Sequence, residues 1–164
     1  MTWSGRLHDG LLRTLRWLVV IALVGLTTVM VVQIVLRYLL QSSFVGVEEI
    51  STLFGLWLYY AGLALVTARG EHIGGGLVAG LLSPGRRRTL DRVFALLCGA
   101  ICAYFCVLAL QYALFIGGMD RRRTFLRWPS VIWAASLCFG LGLSTLLFFL
   151  RALRPPAAMP RVGA

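Results

Sequence analysis

Four long apolar stretches, each free of formal charge, dominate the chain. They lie between Arg16 and Arg37 (20 residues), Glu49 and Arg69 (19), Arg92 and Asp120 (27), and Arg127 and Arg151 (23). A helix rises about 1.5 Å per residue, so about 20 residues cross a hydrocarbon core of about 30 Å. A segment in lipid must satisfy its own backbone hydrogen bonds, which a helix does and an open strand does not. The roughly ten-residue alternating segments of a membrane β-barrel are missing from the sequence. The pattern predicts an all-α integral membrane protein: one domain over residues 1-164, with transmembrane helices near 17-36, 50-68, 93-117 and 128-150.

Two shorter segments flank these spans. Leu7, Leu11, Leu12, Leu15 and Leu18 recur at helical spacing with Arg6, Arg13 and Arg16 between them. That pattern predicts a short amphipathic N-terminal helix on an anionic membrane surface. The run is too long for a signal-peptide core and lacks an Ala-x-Ala-type site before Arg37, so the first helix is expected to be retained. Residues 73-85 are too short to span. Gly74, Gly75 and Gly76 disfavour a continuous helix there, which leaves an interfacial segment or a plain loop between helices 2 and 3.

Composition agrees with a membrane class. Hydrophobic residues make up 59% and charged residues 13%, against roughly 25% charged in a soluble domain. So few charges cannot coat that much apolar surface in water. The net charge of +10 comes entirely from arginine, since the chain has no lysine. With the arginines set between apolar runs, lipid phosphates are their natural partners and nucleic acid is not. The two tails and the second loop hold eleven arginines and the other two loops five. By the positive-inside rule both termini are cytoplasmic, with Arg121, Arg122 and Arg123 the exception.

Catalytic chemistry finds little support. The two histidines, His8 and His72, lie outside the apolar spans, so a bis-histidine haem within the bundle is not available. Neither a Cys-x-x-Cys pair nor a phosphate loop is present, and no cofactor is expected. Cys98, Cys102 and Cys106 recur every fourth residue beside Ala95, Gly99 and Ala103. A thiolate metal stripe is one reading; small packing residues are the other. The fourth span carries a matching series, Ser136, Gly140 and Ser144. Short side chains let helices approach closely in lipid, so these two seams are expected to meet each other or a partner protein. The spans hold no charged residue; Gln33 and Gln111 are their only amides. An ion or solute path needs polar groups at mid-membrane, so the chain reads as a supporting subunit and not as a carrier or an enzyme.

The remaining polar features gather at the ends of helices 1 and 2. Arg37 and Tyr38 end the first, and Glu48 and Glu49 open the second. Acids there are stabilised by the helix dipole; alternatively one carboxylate bonds Arg37 or a basic group of another chain. Trp57 carries an indole N–H that seeks a protein partner, and Gly62 admits a neighbouring helix. Arg69 and His72 stand at the far end, toward lipid phosphate or a second subunit.

The order Arg37-Tyr38, Ser43, Glu48-Glu49, Trp57, Gly62, Arg69 and Gly70-Glu71-His72-Ile73 resembles the small membrane subunit, DctQ-like, of tripartite ATP-independent periplasmic (TRAP) transporters. The resemblance continues through Leu82, Pro84, Arg88 and Leu90-Asp91, and is carried in the fourth helix by hydropathy and Trp128-Pro129. Val45-Gly46-Val47, where the family often has Trp, and Gly74–Gly76, where it often has a polar residue, depart from the pattern. The resemblance implies a four-helix partner of a large permease subunit. The permease moves an organic anion, often a carboxylate, with sodium, and a periplasmic binding protein delivers that anion in bacteria whose inner membrane holds the pair. Residues Arg37, Tyr38, Glu48, Glu49, Trp57, Gly62, Arg69 and His72 are then candidates for contact with the permease or lipid. A stand-alone redox anchor or homo-oligomeric channel is the alternative.

Overall fold

The computed structural model describes residues 3–42, 46–70, 84–119 and 121–153, with side chains of the first and third helices described from His8 and Thr89. Its four helices are α1 (Trp3–Tyr38), α2 (Val47–Arg69), α3 (Pro84–Gly118) and α4 (Val131–Leu153). All four are long and apolar enough to cross a membrane.

Helices α1 and α3 extend well beyond the apolar runs they contain. At about 1.5 Å per residue, α1 with its 36 residues measures about 54 Å. Arginines end an apolar run, but they do not end a helix, because Arg is a good helix former. The N-terminal leucines therefore belong to α1 itself and not to a separate surface helix. Leu15 is 1% exposed and packs with Ala64 and Leu65 of α2, with Leu11, Leu12 and Val19 around it. Their helical spacing records a face turned to protein where a membrane-surface face was expected. Helix α3 likewise starts at Pro84, a residue suited to a first helical position because its missing N–H would be unpaired there anyway. The expected interfacial segment falls largely on residues 71–83, outside the described residues, as does His72.

Local chemistry sets the ends of α2. Glu48 and Glu49 lie in its first turn. Gly70 closes it at φ 72°, its N–H bonded to the Thr67 carbonyl at 3.1 Å. That left-handed cap satisfies carbonyls the helix end would leave open, and glycine adopts it without steric cost.

The helices form a row and not a closed square. The packed pairs are α1 with α2, α2 with α4, and α4 with α3. Burial follows this order: 39% of the most apolar window of α4 is buried and 28% of that of α2, against 17% in α3 and 6% in α1. The outer helices leave broad apolar faces uncovered, including Ile21, Val24 and Val31 on α1 and Leu97, Ile101 and Phe105 on α3. In water such surface would aggregate; in lipid it is the ordinary exterior.

At their glycines the two small-residue seams meet large residues and not each other. A Cβ on Gly140 would stand 2.5 Å from both the Cβ and the carbonyl oxygen of Tyr60, so Gly140 marks a close backbone approach of α4 to α2. On α3, Gly99 faces the side chains of Phe148 and Phe149, and Ala95, four residues earlier, is buried. Ala103 is half-buried. Ser136 and Ser144 are fully buried. Between α3 and α4, Cys106 lies close to Gly142, its Sγ 3.5 Å from the place of a Gly142 Cβ, while Gly99 against Phe148 pairs small with large. Interdigitation requires this, since two facing rows of small residues would leave a void unless the backbones themselves met.

Candidate functional site: the Glu49 pin and the two polar ends

The first polar end is organised by a carboxylate. Glu49 sits in the first turn of α2 and reaches the loop between α3 and α4. Its Oε2 accepts the Leu126 backbone N–H at 3.0 Å, and its Oε1 accepts that of Phe125 at 3.3 Å. The Glu49 backbone carbonyl accepts the indole N–H of Trp133, the third residue of α4, at 3.2 Å. One residue thus ties α2 both to the loop and to the start of α4.

The loop is shaped to present those N–H groups. Arg122 and Pro129 pair across it. The Arg123 N–H bonds the Trp128 carbonyl at 2.9 Å, and the Ser130 N–H bonds that of Arg121 at 2.9 Å. The chain reverses between these bonds, and Arg127 takes a left-handed conformation at φ 54° to close the turn. Arg123 then stacks its guanidinium 4.6 Å from the centroid of the Trp133 ring. Its positive charge acts on Glu49. Glu48, Glu49, Thr52, Arg123 and Phe125 line an open cleft of about 240 Å³.

This arrangement bears on the partners that the sequence left open for the two acids. Arg37 does not meet Glu49; it lies 5.8 Å over the ring of its neighbour Tyr38, and both are exposed. Glu48 is also exposed, in the first turn of α2 where the helix dipole favours an acid. Among the described residues the partner of Glu49 is loop backbone, with Arg123 nearby. Sequence reasoning missed Arg123 and Trp133. The available signal was the basic triplet Arg121–Arg123, an exception to the arginine pattern of the chain, followed by Trp128 and Pro129.

Along α2, Trp57 pairs with Phe139 of α4, ring centroids 5.9 Å apart, so it does face protein within its own chain. Gly62 differs: nothing lies within 4 Å of where its Cβ would be. The tight glycine contacts are at Gly140 and at Gly25, where a Cβ would meet the Phe54 ring.

At the opposite end, Arg69 closes α2 and shares a cleft with His8 of α1 and Arg151 of α4. The N-terminal part of α1 and the C-terminal end of α4 therefore lie on one side of the molecule. Charged residues among the described ones stand toward the two ends, and the middle of every helix is apolar.

A comparison with curated proteins gave no match. A protein-family profile described as "Tripartite ATP-independent periplasmic transporters, DctQ component" matches residues 26–156. That match takes in the last third of α1 and all of the other three helices, so the chain belongs to the DctQ component family of tripartite ATP-independent periplasmic transporters.

Proposed function

We propose that this chain is the static brace of a sodium-coupled transporter. It stands beside a large permease subunit that carries the ion and substrate sites and takes up an organic anion, a carboxylate, from a periplasmic binding protein. The reading is supported above all by the row of four helices. Its apolar flanks on α1 and α3 are wide enough to lie against another membrane protein, and among the described residues its centre holds no Asp, Glu or Arg. A carrier needs polar groups at mid-membrane; a scaffold needs rigidity and contact area. Close packing at Gly140 and the Glu49 pin supply rigidity.

In this reading the chain sits in the bacterial inner membrane with both termini cytoplasmic, as its arginine distribution favours. The Glu49 end, with its basic loop, then faces the periplasm. Arg37, Tyr38, Glu48 and Gly62 are exposed or unpacked within the chain and serve as contacts to the permease or to lipid. No catalytic step is assigned to it.

The test is reconstitution. Liposomes holding the permease and this chain should take up the anion on a sodium gradient when the binding protein is added. Omitting this chain should abolish uptake. Uptake by this chain alone, or undiminished uptake by the permease without it, would refute the brace.

A further inference from the structure

We propose that the cleft formed by His8, Arg69, Gly70, Leu147, Leu150 and Arg151 binds the phosphate of an anionic phospholipid. Three helices build it: α1 contributes His8, α2 contributes Arg69 and its Gly70 cap, and α4 contributes the two leucines and Arg151. Its volume is about 310 Å³. The inference depends on the chain crossing a bilayer and not on its role in transport.

The two walls differ in a way that matches a lipid. One is cationic. Arg151 donates an N–H to the Gly70 carbonyl at 3.4 Å, and its Nη1 lies 3.0 Å from where a Gly70 Cβ would be. The left-handed glycine thus leaves room for the guanidinium and points it into the cleft beside Arg69. A guanidinium has five N–H donors in a planar fork that matches phosphate oxygens, and this contact uses one. The other wall, Leu147 and Leu150, continues along α4 into the apolar span. A phosphate held at the rim would place its acyl chains along that wall. Free phosphate has no use for it, and a soluble carboxylate has none either.

Helix dipoles account for part of the picture. Arg69 and Arg151 each lie near the C-terminus of a helix, where a cation is favoured. That explains each arginine singly. It does not explain why α1 runs on beyond the bilayer to bring His8 to the same concavity. Headgroup phosphate is the most concentrated anion at this depth, and each basic group near an anionic surface strengthens binding about fivefold.

Native mass spectrometry of the full chain released from detergent tests this, with phosphatidylglycerol or phosphatidylcholine added in separate samples. The wild-type chain should retain one phosphatidylglycerol in preference to phosphatidylcholine. Arg151→Gln should lower that retention about fivefold and Arg151→Gln with His8→Gln further. Arg121→Gln, at the opposite end, should leave it unchanged. If Arg151→Gln fails to fold, His8→Gln alone keeps the test, since His8 lies on the first turns of α1 away from the packed interior. Equal retention of the two lipids, or unchanged retention in the double variant, would overturn the proposal. So would thermal stabilisation by inorganic phosphate alone equal to that by phosphatidylglycerol, which would make the cleft a site for a soluble anion.

Discussion

Glu49 and Leu126 are 77 positions apart in sequence, yet the carboxylate of one accepts the backbone N–H of the other at 3.0 Å. The bond fastens a loop between α3 and α4 to the head of α2. A carboxylate suits this because it is acceptor-only and can take one N–H on each oxygen. Its two acceptors meet Phe125 and Leu126, adjacent residues in a tight reversal.

Replacing Glu49 should therefore loosen the loop before it affects the helices. Glu49→Ala is expected to speed hydrogen exchange at Phe125 and Leu126 by roughly tenfold, as expected for local opening. Glu49→Gln keeps one acceptor and should fall between. Exchange elsewhere in α2 and α4 should change little. Uniform acceleration across all helices would contradict a local pin.

A charge swap between Arg37 and Glu49 should not rescue. Arg37→Glu alone leaves the loop bonds intact, because Arg37 rests over Tyr38. Glu49→Arg places a donor-only group against two N–H donors and a nearby Arg123, so it should weaken the fold whether or not Arg37 is changed. Thermal unfolding of the two single variants and the double variant checks this. Recovery in the double variant would show that the two side chains pair.

Gly140 and Gly62 should respond in opposite directions to the same change. Gly140→Ala puts a methyl 2.5 Å from the Tyr60 carbonyl oxygen, and overpacking of this kind costs about 1–3 kcal/mol. Gly62→Ala meets nothing within 4 Å and gains about 1 kcal/mol of helix propensity. Melting of the isolated subunit in detergent reads both. If Gly62→Ala spares the isolated subunit but prevents co-purification of the permease, a helix of the permease occupies that open space.

The buried serines should also part company. Ser136 donates to the Trp133 carbonyl at 2.7 Å, so Ser136→Ala should cost about 0.5–1.5 kcal/mol. Ser144 has a buried Oγ with no hydrogen-bond partner among the described residues. Removing an unsatisfied hydroxyl relieves its desolvation cost, so Ser144→Ala should be neutral or stabilising by about 1 kcal/mol. Parallel melts of the two variants give the sign.

Trp133 and Arg123 form a pair whose coupling can be measured. Trp133 is 2% exposed, bonds the Glu49 carbonyl and lies under the Arg123 guanidinium. Trp133→Phe loses the indole bond, about 1 kcal/mol. A double-mutant cycle with Arg123→Gln should return a coupling of about 0.5–2 kcal/mol, the range of a partly desolvated cation–π contact. A coupling near zero would leave Arg123 without a role in anchoring α4.

Residue type and spacing alone determined that four helices cross the membrane. An apolar run of some 20 residues has one stable form in lipid, whatever its neighbours, since every backbone group must bond within the segment. The same reasoning identified Glu48 and Glu49 as the acids that open α2, and Ala95, Gly99, Ser136, Gly140 and Ser144 as packing positions. Partners were beyond its reach. Small residues announce a close approach without saying to what, and only the tertiary arrangement set Gly140 against Tyr60 and Gly99 against Phe148. A carboxylate is satisfied equally by a guanidinium or by two backbone N–H groups. The sequence left the helix dipole, Arg37 or a basic group of another chain open for the two acids, while the fold supplied Glu49 with a loop far along the chain. The length of α1 was hidden for a related reason: arginine interrupts hydropathy without interrupting a helix, so its leucine face was legible but its neighbour, α2, was not.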